Sequence, residues 1–444
     1  IFYLGHPAVF YINKLFLGNY LSERINPTFE SIFAVGVDEM SWDDLNDAHY
    51  DWPSVDEVMA YRKTVKTCVL QQIDSLPLGN SISWNDPFWI ILMGIEHDRI
   101  HLETSSVIMR QLPLEDLRTD ANWASCRYYG KAPQNALQTV AKQQIQQGKS
   151  ECDDYYAWDN EYGKTIQNVE AFNASTYLVS NQEFLGFVND NGYENPEYWS
   201  KEGQDWLTFT KVRMPRFWEK PPSGTYTLRL LTEIIDMPWD WPVEVNYLEA
   251  KAFCNWLSKK ENKSLRLPTE PEWLALIQTQ GPSESYPNWK QACGNINLEH
   301  WASSCPVNHF KQGPFYDLIG NVWQWTESPI DGLDGFKIHP LYDDFSTPTF
   351  DSKHNLIKGG SWISTGNEAL LSSRYAFRRH FYQHAGFRYV ESNHTPDIIS
   401  KIHEKDITVA KQLHAHYGPS YFNTPNYYVE LAQLCCEASL SCNV

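Results

Sequence analysis

Two histidines four residues apart, His97 and His101, are the side chains in this sequence with the clearest capacity for chemistry. The segment around them has the pattern of an α-helix, because Asp86 suits an N-cap, Pro87 suits the first helical position and apolar residues recur as far as Ile108. Residues i and i+4 share one helix face, so the two rings can bind one metal ion. The alternative is a pair of core histidines, each hydrogen-bonded to a backbone carbonyl. The spacing by itself is compatible with both.

The surrounding residues indicate which kind of metal site this would be. A zinc protease would have glutamate directly after the first histidine of the pair, whereas this chain has Asp98 there. His6, at the start of the first predicted helix, is the candidate third ligand, although a lone histidine there can equally be a cap or a core residue. Together the three histidines would form a facial site that leaves positions open for substrate and oxygen, as mononuclear non-haem iron requires.

Composition restricts the partners and the compartment. The 444 residues carry a formal net charge of -19, and the sequence shows no basic stripe, so nucleic acid and anionic membranes are disfavoured and a small-molecule substrate is favoured. No stretch is apolar enough to span a membrane, and the first residues lack the basic segment of a signal peptide. The chain begins without methionine, as a processed or trimmed fragment would. Nine cysteines without a C-x-x-C pattern fit a reducing compartment, so we expect a cytoplasmic protein.

Four helical patterns occupy the first third of the chain. One begins at Pro7 and covers residues 7–20, and a second begins at Ser54, which can form a capping box with Glu57. The third carries His97 and His101, and the fourth is a Gln- and Ala-rich amphipathic segment at 134–147. Helix bundles commonly build metal sites from facing helices. The pattern therefore predicts a four-helix bundle with the metal site inside it.

After about residue 151 the sequence changes to short strands and long polar loops punctuated by Gly, Pro and Trp. The periodic helices predicted there are 245–259 and 270–277, with a further one at 402–418. The last helix carries His414 and His416, which could bind a metal or simply lie at a solvated helix end. Two different architectures are therefore joined in one chain.

Six ordered motifs in this second part resemble the formylglycine-generating-enzyme, or sulfatase-modifying-factor, family. They are AWDNE at 157–161, VSNQEF at 179–184, LRLPTEPEW at 265–273, GNVWQWT at 320–326, GGSW at 359–362 and GFR at 386–388. The resemblance implies a C-type-lectin-like α+β domain of low regular secondary structure at 149–395, in which these residues hold irregular loops together. A formylglycine-generating enzyme also has a cysteine pair before GFR, whereas this chain has SRYAFRRHF at 373–381, so copper-dependent oxidation of sulfatases is disfavoured.

The N-terminal part, with Gly5-His6-Pro7 and the pattern H-x-x-x-H-x-E at 97–103, resembles a DinB-like helical bundle at 1–148. A DinB-like bundle followed by a formylglycine-type domain is the arrangement of the iron-dependent sulfoxide synthases of thiol-histidine biosynthesis. Within that group, segments 6–14, 36–42 and 360–368 resemble the 5-histidylcysteine sulfoxide synthases of ovothiol biosynthesis. Residues 396–444 resemble a linker and the truncated start of a methyltransferase-like domain. Because no Gly-rich nucleotide loop follows, methyl transfer is not assigned to this chain.

The resemblance implies an Fe(II)- and O2-dependent oxidoreductase. The iron would be held by His6, His97 and His101, and L-cysteine and L-histidine would be joined into a sulfoxide. The family's proton-donating tyrosine matches Tyr342, whose ring could alternatively serve packing alone. Two other functions stay open: an ergothioneine-type synthase acting on a methylated histidine, and a non-catalytic thiol-binding protein with the same two domains.

Substrate preference rests on departures from the ergothioneine-type relatives. They tend to have glutamine before the second helix histidine, where this chain has Ile100, and arginines where it has the acidic segment 38–40. Free cysteine and unmethylated histidine fit this pattern better. Candidates to grip substrate carboxylates, each with a structural alternative, are Arg374, Arg378, Arg379 and Arg388. Asp98 and Glu103 could orient the metal imidazoles or could cap and solvate the helix.

Overall fold

The computed structural model describes residues 1–34, 51–79, 82–151, 153, 156–221, 224–280, 294–342 and 345–393. Four expectations lie outside the described residues. They are the resemblance at 36–42 with the acidic segment 38–40, the helix at 402–418, its residues His414 and His416, and the methyltransferase-like start within 396–444.

The N-terminal part is built from helices α1 (Phe2–Leu17), α2 (Pro27–Ile32), α3 (Val55–Ser75) and α4 (Pro87–Met109). α3 begins as predicted, because Ser54 and Glu57 form a reciprocal capping box. α4 also begins as predicted, with the Asp86 side chain accepting a hydrogen bond from the backbone N–H of Phe88. α1 packs against both α3 and α4. Its close approach to α4 depends on Gly94, where a β-carbon would meet the Tyr11 ring.

The short helix α2 ties α1 and α3 together through one buried carboxylate. Glu30 accepts hydrogen bonds from the backbone N–H groups of Ile25 and Asn26 at 2.9 Å each, and from the Tyr61 hydroxyl of α3 at 3.3 Å. An ion pair with Arg24 at 3.1 Å balances its charge. A buried carboxylate with this many donors is stabilised rather than costly.

Two predictions about these helices are wrong. α1 begins at Phe2 rather than Pro7, because the N–H groups of Leu4 and Gly5 already bond to the Ile1 carbonyl and the helix tolerates Pro7 inside it. Segment 134–147 is not a helix but two strands, β1 (Leu137–Val140) and β2 (Gln143–Gln147). The expected four-helix bundle is therefore not confirmed.

The strands at 137–147 form because pairing with neighbouring strands buries every second residue. This burial outweighs the helix propensity of the segment. In β2, Ile145 and Gln147 are buried while the two glutamines between and before them are exposed. β1 pairs with β4 (Phe172–Ser175) and β2 pairs with β3 (Thr165–Val169), both antiparallel. A strand whose alternate residues meet an existing core is stabilised by that core rather than by its intrinsic preference.

The second part combines short helices with small sheets. Its helices are α5 (Asn181–Asn189), α6 (Lys201–Thr210), α7 (Tyr247–Glu261) and α8 (Glu270–Gln278). Its other strands are β5 (Trp218–Glu219), β6 (Thr227–Arg229), β7 (Ile234–Asp236), β8 (Leu265–Arg266), β9 (Lys311–Gln312), β10 (Phe315–Tyr316), β11 (Trp323–Pro329), β12 (His354–Lys358), β13 (Tyr375–Arg378), β14 (Ala385–Gly386) and β15 (Val390–Glu391). α7 and α8 match the predicted helices at 245–259 and 270–277 within two residues at each end.

Two four-stranded sheets organise these elements. One has the order β1-β4-β15-β8, and the other has the order β13-β12-β11-β14 with β11 and β14 parallel. β5, β6 and β7 form a three-stranded sheet, and β2-β3 and β9-β10 are hairpins. The short strands and long connections agree with the predicted α+β domain of low regular secondary structure. In the part of the chain that the structure describes, no helix has the length and apolar character to cross a bilayer.

Arg388 of the GFR motif has a structural role. Its guanidinium is fully buried and donates to the side chain of Gln324 at 2.6 Å and to the carbonyls of Ser175, Tyr316 and Asp317 at 3.0, 2.7 and 3.1 Å. These acceptors lie on separate loops and strands. The arginine therefore holds irregular backbone together, as the motif predicted.

The pH dependence of stability gives a first prediction. Burial raises the pKa of Glu249 in α7 to about 7, although hydrogen bonds from Tyr193 and Asn246 oppose the shift. The folded protein keeps this proton up to about pH 7, whereas the unfolded chain loses it near the ordinary pKa of 4.5. The proton therefore stabilises the folded state fully below pH 4.5, and this stabilisation is lost as the pH rises to about 7. Between pH 5 and 7.5 this group should lower the unfolding free energy of the wild-type protein by up to about 3 kcal/mol. Glu249→Gln should remove that contribution and make the unfolding free energy depend less on pH. Urea unfolding at several pH values measures this.

Glu261→Gln, at the exposed end of the same helix, is the matched control and should keep the wild-type slope. A Glu249→Gln slope equal to that of wild type would show that this carboxyl does not titrate between the two states.

Candidate metal centre

His6 on α1 meets His97 and His101 on α4 where the two helices pack. The Nε2 atom of His97 lies 3.1 Å from the Nε2 atom of His6 and 3.1 Å from that of His101. His97 is buried and the other two rings are partly buried. The structure therefore brings the three predicted ligands together from opposite ends of the first hundred residues, and this trio can hold a metal ion.

The donor set fits a metal ion on geometry. Imidazole nitrogens bind first-row metals at about 2.1 Å, so two nitrogens at right angles about one ion would be about 3.0 Å apart. The observed separations of 3.1 Å agree with this. His6 Nδ1 lies 2.6 Å from the Phe33 carbonyl, which requires Nδ1 to carry the proton and leaves the Nε2 lone pair free. Such a carbonyl partner is typical of metal-binding histidines.

The electrostatics keep the three rings neutral. Burial and the proximity of His101 and His6 hold the pKa of His97 well below its usual range. Burial and the charge of His6 lower the pKa of His101 to about 3, and burial also lowers the pKa of His6. At neutral pH the site therefore presents unprotonated imidazoles, the form that binds metal.

Aromatic rings enclose the three histidines. Phe10 stacks on His97 with a centroid distance of 3.7 Å, and Phe2 stacks on His6 at 4.7 Å. Tyr3 meets His101 edge-on at 5.4 Å. These contacts fix the ring planes and limit the access of water, so the donor geometry is preorganised.

Tyr342 lies beside this cluster, although more than 200 residues separate it from the ligands. Its ring centroid is 5.1 Å from Phe10 and 6.4 Å from His97. The Lys14 ammonium lies over the face of the Tyr342 ring, 3.9 Å from its centroid, in a cation–π contact. The predicted catalytic tyrosine and the predicted ligands thus share one site, and sequence reasoning missed Phe10 and Lys14, which follow His6 by four and eight residues on α1.

A small cleft between α4 and the second domain lies on the Tyr342 side of the metal histidines. Trp89 and Met93 precede His97 by eight and four residues on α4 and therefore share its face. The cleft is lined by Trp89, Met93, Tyr156, Ala157, Trp158, Asp159, His339, Tyr342 and Phe345. Burial raises the pKa of the Asp159 carboxyl to about 6, although a hydrogen bond from Ser346 opposes the shift. The cleft thus combines aromatic walls with one acidic group.

The structure places the candidate arginines in protein contacts. Arg374 donates to Glu270 at 3.0 Å and to the carbonyls of Asn160 and Asp331 at 2.7 and 2.9 Å. Arg378 lies 3.6 Å from Asp351. Arg379 donates to Asn355, Glu202 and the Ser352 carbonyl at 2.7 to 2.9 Å. These contacts favour structural roles for the three arginines over a grip on substrate.

The two acids beside the histidines differ: Asp98 is exposed, as a residue that solvates the helix would be, whereas Glu103 is buried. Asp98 accepts a hydrogen bond from the Tyr11 hydroxyl at 3.2 Å. Glu103 points into the second domain, where Trp323, Ser361 and Ser364 each donate to it at 2.7 Å. Among the contacts of the described residues, neither acid bonds to a metal-site imidazole.

Residues 129–393, more than half of the chain, match the family model described as "Sulfatase-modifying factor enzyme 1-like domain". The chain belongs to this family. The matched segment includes β1 and β2, the strands that replace the predicted fourth helix.

Curated relatives extend the likeness into the helical part. A hercynine oxygenase of Mycolicibacterium thermoresistibile is 29% identical over 315 residues, covering 67% of this chain and 66% of the relative. A hercynine oxygenase of Mycobacterium tuberculosis is 29% identical over 234 residues, covering 48% of this chain and 51% of the relative. Ergothioneine biosynthesis protein 1 of Neurospora crassa is 23% identical over 451 residues, covering 82% and 50%. The chain spans about half to two thirds of the length of these enzymes, whose names point to ergothioneine rather than ovothiol chemistry.

Metal binding provides a second prediction. We expect one ferrous or cobaltous ion per chain, and His97→Ala should weaken its binding by about 100-fold or more, because one of three ligands is lost. Anaerobic titration calorimetry with elemental analysis measures both quantities. His300→Ala removes an exposed histidine of the second domain and should bind metal as wild type does. Equal affinity in His97→Ala and wild type would rule the site out.

Proposed function

We propose that this chain is an Fe(II)- and O2-dependent sulfoxide synthase that joins the sulfur of a cysteine-type thiol to the imidazole carbon of a histidine-type substrate. One observation carries the proposal: three neutral imidazoles converge beside Tyr342, in a chain whose relatives are named hercynine oxygenases. The reaction balances as thiol plus imidazole C–H plus O2 giving sulfoxide plus water. One oxygen atom stays on sulfur, and the other leaves as water with the thiol and imidazole protons.

His6, His97 and His101 would hold the ferrous ion, which supplies redox chemistry with O2 and favours binding of the thiol as thiolate. Three neutral ligands add no negative charge and leave coordination positions for substrates. The rings of Phe2, Phe10 and Tyr3 pack against the three ligand rings and would hold them in place.

Tyr342 is the proposed proton donor. Its ring is packed by Phe10 at 5.1 Å, Phe345 at 5.1 Å and Trp158 at 6.1 Å, and is covered by the Lys14 ammonium. This packing holds the Tyr342 ring beside the metal histidines, with its centroid 6.4 Å from that of His97. A phenol held there would supply a proton to the reacting groups without waiting for bulk water.

The cleft beside Tyr342 is the proposed place for the histidine-type substrate. Asp159 is ionised above pH about 6. Aromatic walls and a carboxylate together suit an ammonium group, methylated or not.

Two substrate pairs fit this proposal. The relatives' names favour hercynine, the trimethylated histidine, as acceptor. The sequence favours free histidine with free cysteine, because Ile100, an apolar, partly buried residue packed against the main core, stands where the ergothioneine-type relatives tend to have glutamine. The proposed partners are therefore small molecules rather than nucleic acid or membranes.

A direct assay separates the alternatives. Iron-loaded, anaerobically purified protein is mixed with oxygen, with cysteine or a cysteine peptide, and with histidine or hercynine, and the products are identified by mass spectrometry. We expect a carbon–sulfur sulfoxide with one acceptor clearly preferred, and its loss in His101→Ala. An undiminished adduct in His101→Ala would refute the metal assignment. Thiol binding without any adduct would support the non-catalytic alternative.

Tyr342→Phe gives a third prediction. Without the phenol proton, coupling should fall by about 100-fold relative to oxidation of the thiol to its sulfinic acid, because both reactions begin from the same iron-bound thiol. The measured quantity is the ratio of sulfoxide to oxidised thiol. Tyr129→Phe, at a tyrosine that is 73% exposed, should leave the ratio unchanged. An unchanged ratio in Tyr342→Phe would remove Tyr342 from the proton-donor role.

A further inference from the structure

α4 has a second functional face, turned away from the histidines. Glu96, Glu103 and Arg110 follow one another at intervals of seven residues, and seven residues make nearly two helical turns. All three side chains are buried, with exposures of 6%, 3% and 3%. Charged residues are rarely buried unless they are paired. Glu96 has one partner on α4 itself, the Arg99 guanidinium at 2.5 Å, and the row also has partners in the second domain.

The outer members of the row are held by separate parts of the second domain. Glu96 accepts a hydrogen bond from the backbone N–H of Asn367 at 2.9 Å. Arg110 pairs with Glu244 at 2.5 Å and donates to the Arg229 carbonyl at 2.8 Å. These contacts orient the helix along its length.

Glu103 is the most completely bonded member. The Trp323 indole and the Ser361 hydroxyl donate to one carboxylate oxygen, and the Ser364 hydroxyl donates to the other, each at 2.7 Å. Trp323 begins β11, and the two serines belong to the loop of the GGSW motif. Glu103 thus joins α4 to two motifs of the sulfatase-modifying-factor domain, and it does so two residues after His101.

A continuous set of contacts runs from Glu103 to Tyr342. The Trp323 ring packs on Tyr375 with centroids 5.8 Å apart, and the Tyr375 hydroxyl accepts a hydrogen bond from the Trp158 indole at 2.8 Å. Trp158 in turn packs against Tyr342 at 6.1 Å and against Phe345 at 4.0 Å. Tyr342 in turn contacts Phe10, which stacks on His97, so these contacts connect Glu103 to the metal histidines through residues of both domains.

We infer that Glu103 is a positioning residue that sets the distance between the metal histidines and Tyr342. This inference rests on the proposed function. Its physical basis is that the metal histidines and Tyr342 belong to different domains. They keep a fixed separation only if the two domains are joined by contacts close to both groups. Glu103 supplies that clamp next to His101, and it touches neither the metal nor substrate.

Glu103→Gln tests the inference, because it keeps the shape but weakens the acceptance of three hydrogen bonds. We expect metal affinity within about threefold of wild type, KM little changed, and the ratio of sulfoxide to oxidised thiol reduced about tenfold. In the Tyr342→Phe background Glu103→Gln should change the ratio no further, since both act on one step. Glu115→Gln, at an exposed glutamate after α4, is the matched control. A wild-type ratio in Glu103→Gln, or additive effects in the double variant, would overturn the inference.

A second measurement does not require activity. In metal-free protein the Trp323 indole N–H resonance, identified by its loss in Trp323→Phe, should shift in Glu103→Gln and stay in place in Glu115→Gln. An unmoved resonance in Glu103→Gln would overturn the clamp whatever the activity shows. A wild type that gives no adduct, together with the expected resonance shift, would instead count against the proposed function alone. Should Glu103→Gln fail to fold, Ser364→Ala removes one donor and should shift the product ratio in the same direction, and a wild-type ratio there would overturn the inference.

Discussion

The structure depends on one constraint: helix α4 must satisfy buried polar groups on two faces at once. On one face His97 and His101 present neutral nitrogens that converge with that of His6. On the other, Glu96, Glu103 and Arg110 need partners from the second domain. Breaking one partner of a buried charge pair costs about 3–5 kcal/mol, so the helix cannot slide or rotate without a large loss of free energy. The same contacts that stabilise the interface therefore hold the ligands in place.

The second domain contributes rigidity rather than regular secondary structure. Its strands are short, yet Arg388, Arg374 and their carbonyl acceptors tie distant loops into one body. Short sheets joined by such buried networks can present a loop as accurately as long strands can, because each buried polar group has a specific partner. This explains how Tyr342, which lies outside any strand or helix, comes to a defined place beside His97.

The sequence predicted those elements whose structure is decided by residues close to one another in the chain. The caps at Ser54 and Asp86 and the helices α7 and α8 follow from hydrogen bonds within a few residues, and they were predictable. Segment 134–147 was not, because its strand state depends on partners at 165–175 that no local pattern reveals. The role of Glu103 depends on residues more than 200 positions away, so adjacency to the histidines suggested the wrong partner. The spacing of seven between Glu96, Glu103 and Arg110 was the available signal for a second buried face.

The protein's own thiols bear on where the sulfur chemistry takes place. Burial raises the pKa of Cys126 to about 11 and that of Cys254 to about 12, and it raises the pKa of Cys305 well above its usual range. These thiols are therefore protonated and enclosed at neutral pH, the state in which cysteine is unreactive. The segment 373–381 before the GFR motif has no cysteine, and its Arg374 is bonded to Glu270. Cys126, Cys254 and Cys305 are therefore structural, in keeping with the proposal that the sulfur to be oxidised belongs to the substrate.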